Sequence, residues 1–207
     1  MQHILVMNAK GGCGKTTLAT NIASFYADQG DDVVLADYDS QGSSSDWLKI
    51  RPKKRPIIRG VEAWRIGLKG VRRGDEVVVM DAPARTHGAE ITKILEHADK
   101  ILVPVLPSLI DMKATKKFLT ELRKSGRIRR RRAKIALVGN RVRDNTLIFE
   151  ELEEFLDKQR LPYLGSLREA QNYVRAYTRG LGIFDLPEYL AWPDWDEWEP
   201  IIDWLEQ

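Results

Sequence analysis

The chain carries a single cysteine, Cys13, in 207 residues, which excludes an intrachain disulfide framework and fits a reducing compartment. One cysteine is also too few to hold an iron–sulfur cluster shared between two subunits. No apolar run is long enough to cross a bilayer, and the first residues lack the charged and apolar regions of a secretory signal, so a cytoplasmic location is expected. Histidine is scarce: His3, His87 and His97 are scattered and match no metal-ligand or triad spacing. No repeat, low-complexity stretch or linker divides the sequence, so one domain over residues 1–207 is expected. Basic residues are missing from the tail. After Arg179 there is no Lys or Arg, but Asp185, Glu188, Asp194, Asp196, Glu197, Glu199, Asp203 and Glu206 all occur.

What is present describes an ordinary globular chain, 43% hydrophobic and 30% charged, with enough residues to bury a core. The net charge of +3 hides an asymmetry. Between Lys113 and Lys134 the chain holds Lys116, Lys117, Arg123, Lys124, Arg127 and the run Arg129 to Arg132, against one acid, Glu121. A basic block and an acidic tail imply a polyanion-binding face and a separate face of different use.

Short apolar runs alternate with helical patterns, which predicts an α/β fold with a mostly parallel central sheet flanked by helices. Strands are expected near 3–8, at 33–36 ending in Asp37, at 77–80 ending in Asp81, at 101–105 and at 135–138. Helices are expected over 15–29, with Gly30 as the stop, and near 88–97, 111–125, 144–159 and 168–179. Trp195, Trp198, Ile201, Ile202 and Leu205 have helical spacing, and Pro52 to Pro56 reads as a surface loop.

The most informative stretch is Lys10-Gly-Gly-Cys-Gly-Lys-Thr-Thr17, which follows the apolar run Ile4 to Met7. Gly11, Gly12 and Gly14 let the backbone curl so that successive N–H groups, with those of Cys13 and Thr17, aim at one anion at a helix start. Lys15 then reaches the β- and γ-phosphates of a nucleotide, and the Thr16 hydroxyl ligates Mg²⁺. The spacing fits a phosphate loop only in a deviant form, and Lys10 has no obvious task within one subunit. Cys13 fills the variable loop position; a helix start can lower a thiol pKa, but redox control is not the expected role.

In an open parallel sheet ligands sit beyond the carboxyl ends of the strands. Asp37, Asp39 and Asp81 fall at such ends, as does Asn140, whose amide could read an adenine edge. Singly, such residues are turn formers and helix caps; together, beside a phosphate loop, they look like a nucleotide–magnesium site.

The lysine-opened loop, the Asp37-x-Asp39-x-Gln41 segment, the Asp81-x-Pro83 segment and Val103 to Asp111 resemble the deviant Walker A ATPases of the ParA/MinD family. Most of the chain is covered, and its size is similar to that of the small ParA-type partition and positioning ATPases, ParF-like or McdA-like. The resemblance implies ATP and Mg²⁺ as ligands. It makes Lys10 the signature lysine that reaches the partner's nucleotide across an ATP-bound homodimer, much as an arginine finger does. It makes Lys15 and Thr16 the phosphate and Mg²⁺ residues, Asp39 the residue that orients the attacking water, and Asp81 the outer carboxylate of the metal. The family has proline after the second aspartate where this chain has Ser40, which implies a looser loop and slow or partner-dependent hydrolysis.

A small ParA-type protein is implied to bind DNA without sequence preference, to associate with the nucleoid, and to position a plasmid, a chromosome region or a protein compartment. A ParB-like or cargo-adaptor protein would stimulate its hydrolysis. The right-handed crossover from helix 111–125 to the next strand puts Arg127 and Arg129, Arg130, Arg131 and Arg132 at the far end of the sheet from ATP, joined along the helix by Lys113, Lys117 and Lys124. Arg168, Arg175 and Arg179 form a second candidate DNA set, and the family resemblance favours a composite patch. A MinD-type membrane regulator is the alternative, with a metabolic phosphate-loop ligase behind it. The acidic tail argues against anionic lipid. Its apolar face is expected to pack on the body of the domain or to dock a partner.

Overall fold

Runs of four or five consecutive apolar residues are stable as strands only where both faces of a sheet are covered. The computed structural model, which describes residues 1–84, 86 and 88–207, builds such a sheet. His87 lies outside the described residues, as does Arg85. In chain order the elements are β1 (Gln2–Val6), α1 (Lys15–Gln29), β2 (Val33–Asp37), α2 (Ser43–Ile50), β3 (Ile58–Val61), α3 (Ala63–Ile66), β4 (Val77–Asp81) and α4 (Ala89–Leu95). There follow β5 (Lys100–Val105), α5 (Leu109–Leu122), α6 (Gly126–Arg129), β6 (Lys134–Val142), α7 (Leu147–Asp157), β7 (Tyr163–Arg168), α8 (Gln171–Tyr177) and α9 (Glu188–Glu206).

The seven strands lie in the order β3-β2-β4-β1-β5-β6-β7, every neighbouring pair parallel. From β1 the chain first builds outward on one side and then crosses to β5 on the other, so the crevice where the order reverses opens at the carboxyl end of β1. Side chains alternate as strand geometry demands. Ile4 and Val6 enter the core under α1, α2 and α9, whereas Leu5 and Met7 enter the core under α4, α5 and α7.

The tail packs on the body. Trp198, Ile201 and Leu205 are fully buried in the core that contains α1. Asp194, counted with the acidic tail by composition, is buried there too, held by Arg168 at 2.9 Å and by the Asn172 amide at 2.7 Å.

The expected strands and the first helix are found, with shifted ends. The segment expected as helix from 168 starts only at Gln171, because Tyr163–Arg168 is the edge strand β7. β7 and the opposite edge strand β3 have few apolar residues, since each has a neighbour on one side only and carries a glycine.

Candidate nucleotide site

Beyond β1 the chain wraps through a glycine-rich turn into α1. Gly12 and Gly14 adopt φ of 76° and 95°, left-handed conformations that a side chain would strain. A Cβ on Gly14 would also lie 2.0 Å from Asn140 Nδ2. The Lys10 carbonyl closes the loop by accepting from Lys15 Nζ at 3.0 Å and from Cys13 Sγ at 3.2 Å. Lys15 is thereby buried along the loop, and no side chain caps the start of α1. The Lys10 ammonium, half-exposed, pairs with none of the described residues.

One sequence expectation changes here. Burial raises the Cys13 thiol, outweighing the lowering effect of Lys15, so this buried cysteine is not an activated thiolate. Asn140 braces the loop from below: Nδ2 donates to the Cys13 carbonyl at 2.8 Å, and Oδ1 accepts from the Arg141 amide at 3.0 Å. Each end of its amide makes one hydrogen bond, which leaves a second N–H and a second lone pair, and Asn140 lines the cleft over the loop.

Asp37 and Asp81 end neighbouring strands and are register partners. Asp37 accepts from the Asp39 amide at 3.0 Å and from the Ser45 amide and hydroxyl at 3.0 and 2.9 Å, so it shapes the loop into α2. Asp39 in turn accepts from the Gln41 amide at 2.9 Å, and Gly42, at φ 71°, starts the helix. This loop is held by hydrogen bonds to the carboxylates of two aspartates.

Asp81 is 1% exposed, and burial pushes its carboxyl up to about 7. The Thr16 and Ser44 hydroxyls and the Lys15 ammonium work against that rise, while Asp37 adds to it. Asp81 Oδ1 and Ser44 Oγ are buried with no partner among the described residues. A buried, unmet carboxylate oxygen beside a threonine hydroxyl is a hard-oxygen setting that a divalent cation would relieve. No group of three or more His, Cys, Asp or Glu among the described residues could hold a metal alone. The cation therefore needs phosphate and water to complete its ligands, as Mg²⁺ does beside a nucleotide.

A cleft of about 820 Å³ opens over the loop, lined by Gly12, Gly14, Thr16 and Thr17 on one side and by the β6 end and α8 on the other. Sequence reasoning missed this second wall. Arg141 and Arg143, both paired with Glu169 at 2.6 and 2.7 Å, follow Asn140, and that cluster was the available signal. Tyr177 donates to the Ser43 carbonyl at 2.9 Å and ties α8 to α2.

Lys124 and Arg129 to Arg132 lie toward the end of the sheet away from the cleft, whereas Lys113 is near the start of α5, two residues from Thr115, which bonds Asn8 beyond β1 at 2.9 Å. Lys113, Lys117, Lys124 and Arg129 to Arg132 are exposed, on α5 and between it and the start of β6. Arg127 is engaged by Asp99 at 3.1 Å and by the Ala98 carbonyl at 2.9 Å. Arg175 and Arg179 are exposed on and just after α8, beside the nucleotide cleft. Arg168 is held by Asp194 at 2.9 Å and Glu197 at 3.7 Å. A DNA phosphate at Arg127 or Arg168 would have to compete with those carboxylates.

Residues 4–183 match the family described as the CobQ/CobB/MinD/ParA nucleotide binding domain. The chain is 30% identical over 189 residues to the maintenance of carboxysome distribution protein A of Halothiobacillus neapolitanus, covering 88% of this chain and 87% of that one. Among solved structures it is similar to a plasmid partition protein of Borrelia burgdorferi bound to AMPPNP, with a TM-score of 0.76, 16% identity and 98% of each chain covered. It is also similar to the ATP complex of a Cyanothece McdA variant, with a TM-score of 0.71, 16% identity and coverage of 97% and 96%.

Proposed function

Because the chain belongs to the CobQ/CobB/MinD/ParA nucleotide-binding family, we propose that it is a ParA/MinD-type ATPase that binds ATP with Mg²⁺, dimerises on it, holds DNA without sequence preference and positions a cargo. The observation that carries this reading is the pair of lysines in one loop. Lys15 is buried along the loop at the helix start, where a phosphate would replace the Lys10 carbonyl as its partner. Lys10 projects an ammonium that no described residue neutralises, which suits an anion supplied by a second subunit.

In this reading Gly12, Gly14 and the first turn of α1 bind phosphate oxygens through backbone N–H groups, and the cleft between the loop and α8 takes the rest of the nucleotide. Mg²⁺ would be held by the Thr16 hydroxyl and, through water, by Asp81, and it would neutralise charge on the transferring phosphate. Asp39, on a loop fixed by Asp37, holds and orients the attacking water. Hydrolysis then dissolves the dimer, and an adaptor protein on the cargo sets its rate. The similarity to a carboxysome distribution protein over 88% of this chain favours a protein compartment over a plasmid or chromosome region as cargo. Trp198, Ile201 and Leu205 of α9 are buried in the core and so are not offered to a membrane.

Asp39→Ala is expected to keep ATP affinity while turnover falls by about 100-fold or more and the dimer accumulates. Phosphate release and light scattering on the same sample check this, and wild-type turnover would remove Asp39 from the reaction. For DNA, replacing Arg129 to Arg132 with Ala should weaken binding to an arbitrary duplex and flatten its salt dependence by about 0.9 for each phosphate no longer neutralised, with ATPase activity intact. An unchanged slope would move the DNA face to Arg175 and Arg179.

A further inference from the structure

Lys100 and Lys134 open β5 and β6 at the end of the sheet opposite the nucleotide cleft, and they are register partners. Like charges side by side on neighbouring strands are destabilising. Lys100 escapes inward: it is buried, donates to the Leu205 carbonyl at the end of α9, and lies 5.9 Å from the Trp204 ring centre. Burial lowers its pKa, and the Lys134 charge lowers it further, so the two ammonium groups feel each other. Lys134, Arg131 and Arg132 remain exposed, and their side chains make no ion pair or hydrogen bond with a described residue. Arg131 sits at φ 53°, a left-handed conformation unusual for a residue with a side chain.

These groups line one cleft of about 610 Å³. Tyr26 lines it too, 6% exposed, its buried hydroxyl without a partner among the described residues. Burial, and then Glu206 and Asp31, raise the phenol's pKa, so it stays a proton donor. Of the two acidic side chains in the wall, Asp99 is already occupied by the His3 amide at 2.9 Å and Arg127 at 3.1 Å, which leaves Glu206 against an excess of cationic side chains.

We infer that this cleft is a second anion site, which takes a phosphate or pyrophosphate group on Lys134, Arg131 and Arg132 with the Tyr26 hydroxyl as a neutral donor. A phosphate matches the forked guanidinium as a carboxylate does, and its further oxygens let it accept from several of these donors at once. The anion relieves the repulsion between Lys100 and Lys134. The group can come from a free polyphosphate or from a nucleic-acid backbone. The inference stands apart from the reading of the glycine loop.

The test is calorimetric titration of inorganic pyrophosphate into the ADP-saturated, magnesium-free protein. One equivalent is expected to bind, with affinity falling at least tenfold in Arg131→Gln/Lys134→Gln and unchanged in Arg175→Gln. Competition by a short DNA duplex identifies a backbone phosphate as the ligand, and its absence identifies a free one. No binding, or binding indifferent to the double substitution, overturns the inference. A signal lost instead in Lys15→Ala places pyrophosphate in the glycine loop and overturns it as well.

Discussion

Lys15→Ala is expected to weaken ATP binding by roughly 100- to 1,000-fold, about 3–4 kcal/mol, as measured by calorimetry or by displacement of a fluorescent nucleotide. The magnitude follows from the site. Lys15 is 7% exposed, so its charge is poorly screened by water and its pairing with phosphate is worth more than a surface pair. Without nucleotide the ammonium donates to the Lys10 carbonyl at 3.0 Å, a hydrogen bond exchanged for phosphate on binding. The same substitution costs the ligand-free fold little, because the Lys10 carbonyl still accepts from the Cys13 thiol and sits at a half-exposed position. A large loss of affinity with a small change in thermal unfolding separates a ligand-binding role from a structural one. Retained affinity would place the phosphates somewhere other than this loop.

The part of the site legible in the sequence is the part built from contiguous residues. The loop at 10–17 is visible because three glycines, a lysine and two threonines must follow one another for backbone N–H groups to converge. Asp37 and Asp81 are visible because each interrupts an apolar run, and a charge can end a buried strand only where the strand leaves the core. Asn140 is located by the same reasoning, but its contact with the loop is not: the close approach of Gly14 joins residues far apart in sequence. The α8 wall is hidden for a similar reason, since nothing at Tyr177 announces a hydrogen bond to Ser43.

Charge is the least legible property. Composition assigns Arg127 and Arg168 to a basic surface and Asp185 and Asp194 to an acidic tail, yet each is paired within the fold. A count of charges cannot distinguish a solvated side chain from one that has found a carboxylate across the molecule. The run Arg129 to Arg132 differs because four adjacent arginines cannot all turn inward, and the structure leaves them exposed.

The buried Asp185 in that set leads to the largest stability effect. Asp185→Ala is expected to destabilise the protein by about 3–5 kcal/mol, because it strands a buried guanidinium. The Asp185 side chain is fully buried, and Arg51, whose side chain is 6% exposed, meets it at 2.9 Å. Arg55 approaches at 3.2 Å, and the Ser24 hydroxyl and Gly182 amide each donate at 2.8 Å. Burial alone would raise this carboxyl, but the Gly182 and Ser24 hydrogen bonds and the Arg51 charge hold it below the ordinary carboxylate value. Its contribution is therefore complete above the unfolded-state value, about 3.9, and is lost as pH falls through the lower folded value. Burial and Asp185 together raise Asp28 to about 6, a repulsion that the variant removes, so wild type and variant should differ most between those two values and converge in strong acid. For a chain of this size the loss corresponds to a fall in melting temperature of roughly 6–20 °C. Arg51 ends α2, the helix that begins just after the Asp39 loop, and a Cβ on Gly180 would lie 2.5 Å from its backbone nitrogen, so the network also fixes the approach of α2 to the segment after α8. Asp185→Leu combined with Arg51→Met should recover much of the loss, since it removes both charges and keeps the volume. If Asp185→Ala alone costs under about 1 kcal/mol, the Ser24 hydroxyl and Gly180 carbonyl, each 3.3 Å from Arg51, are sufficient partners for the guanidinium, and the carboxylate is not what holds α2 in place.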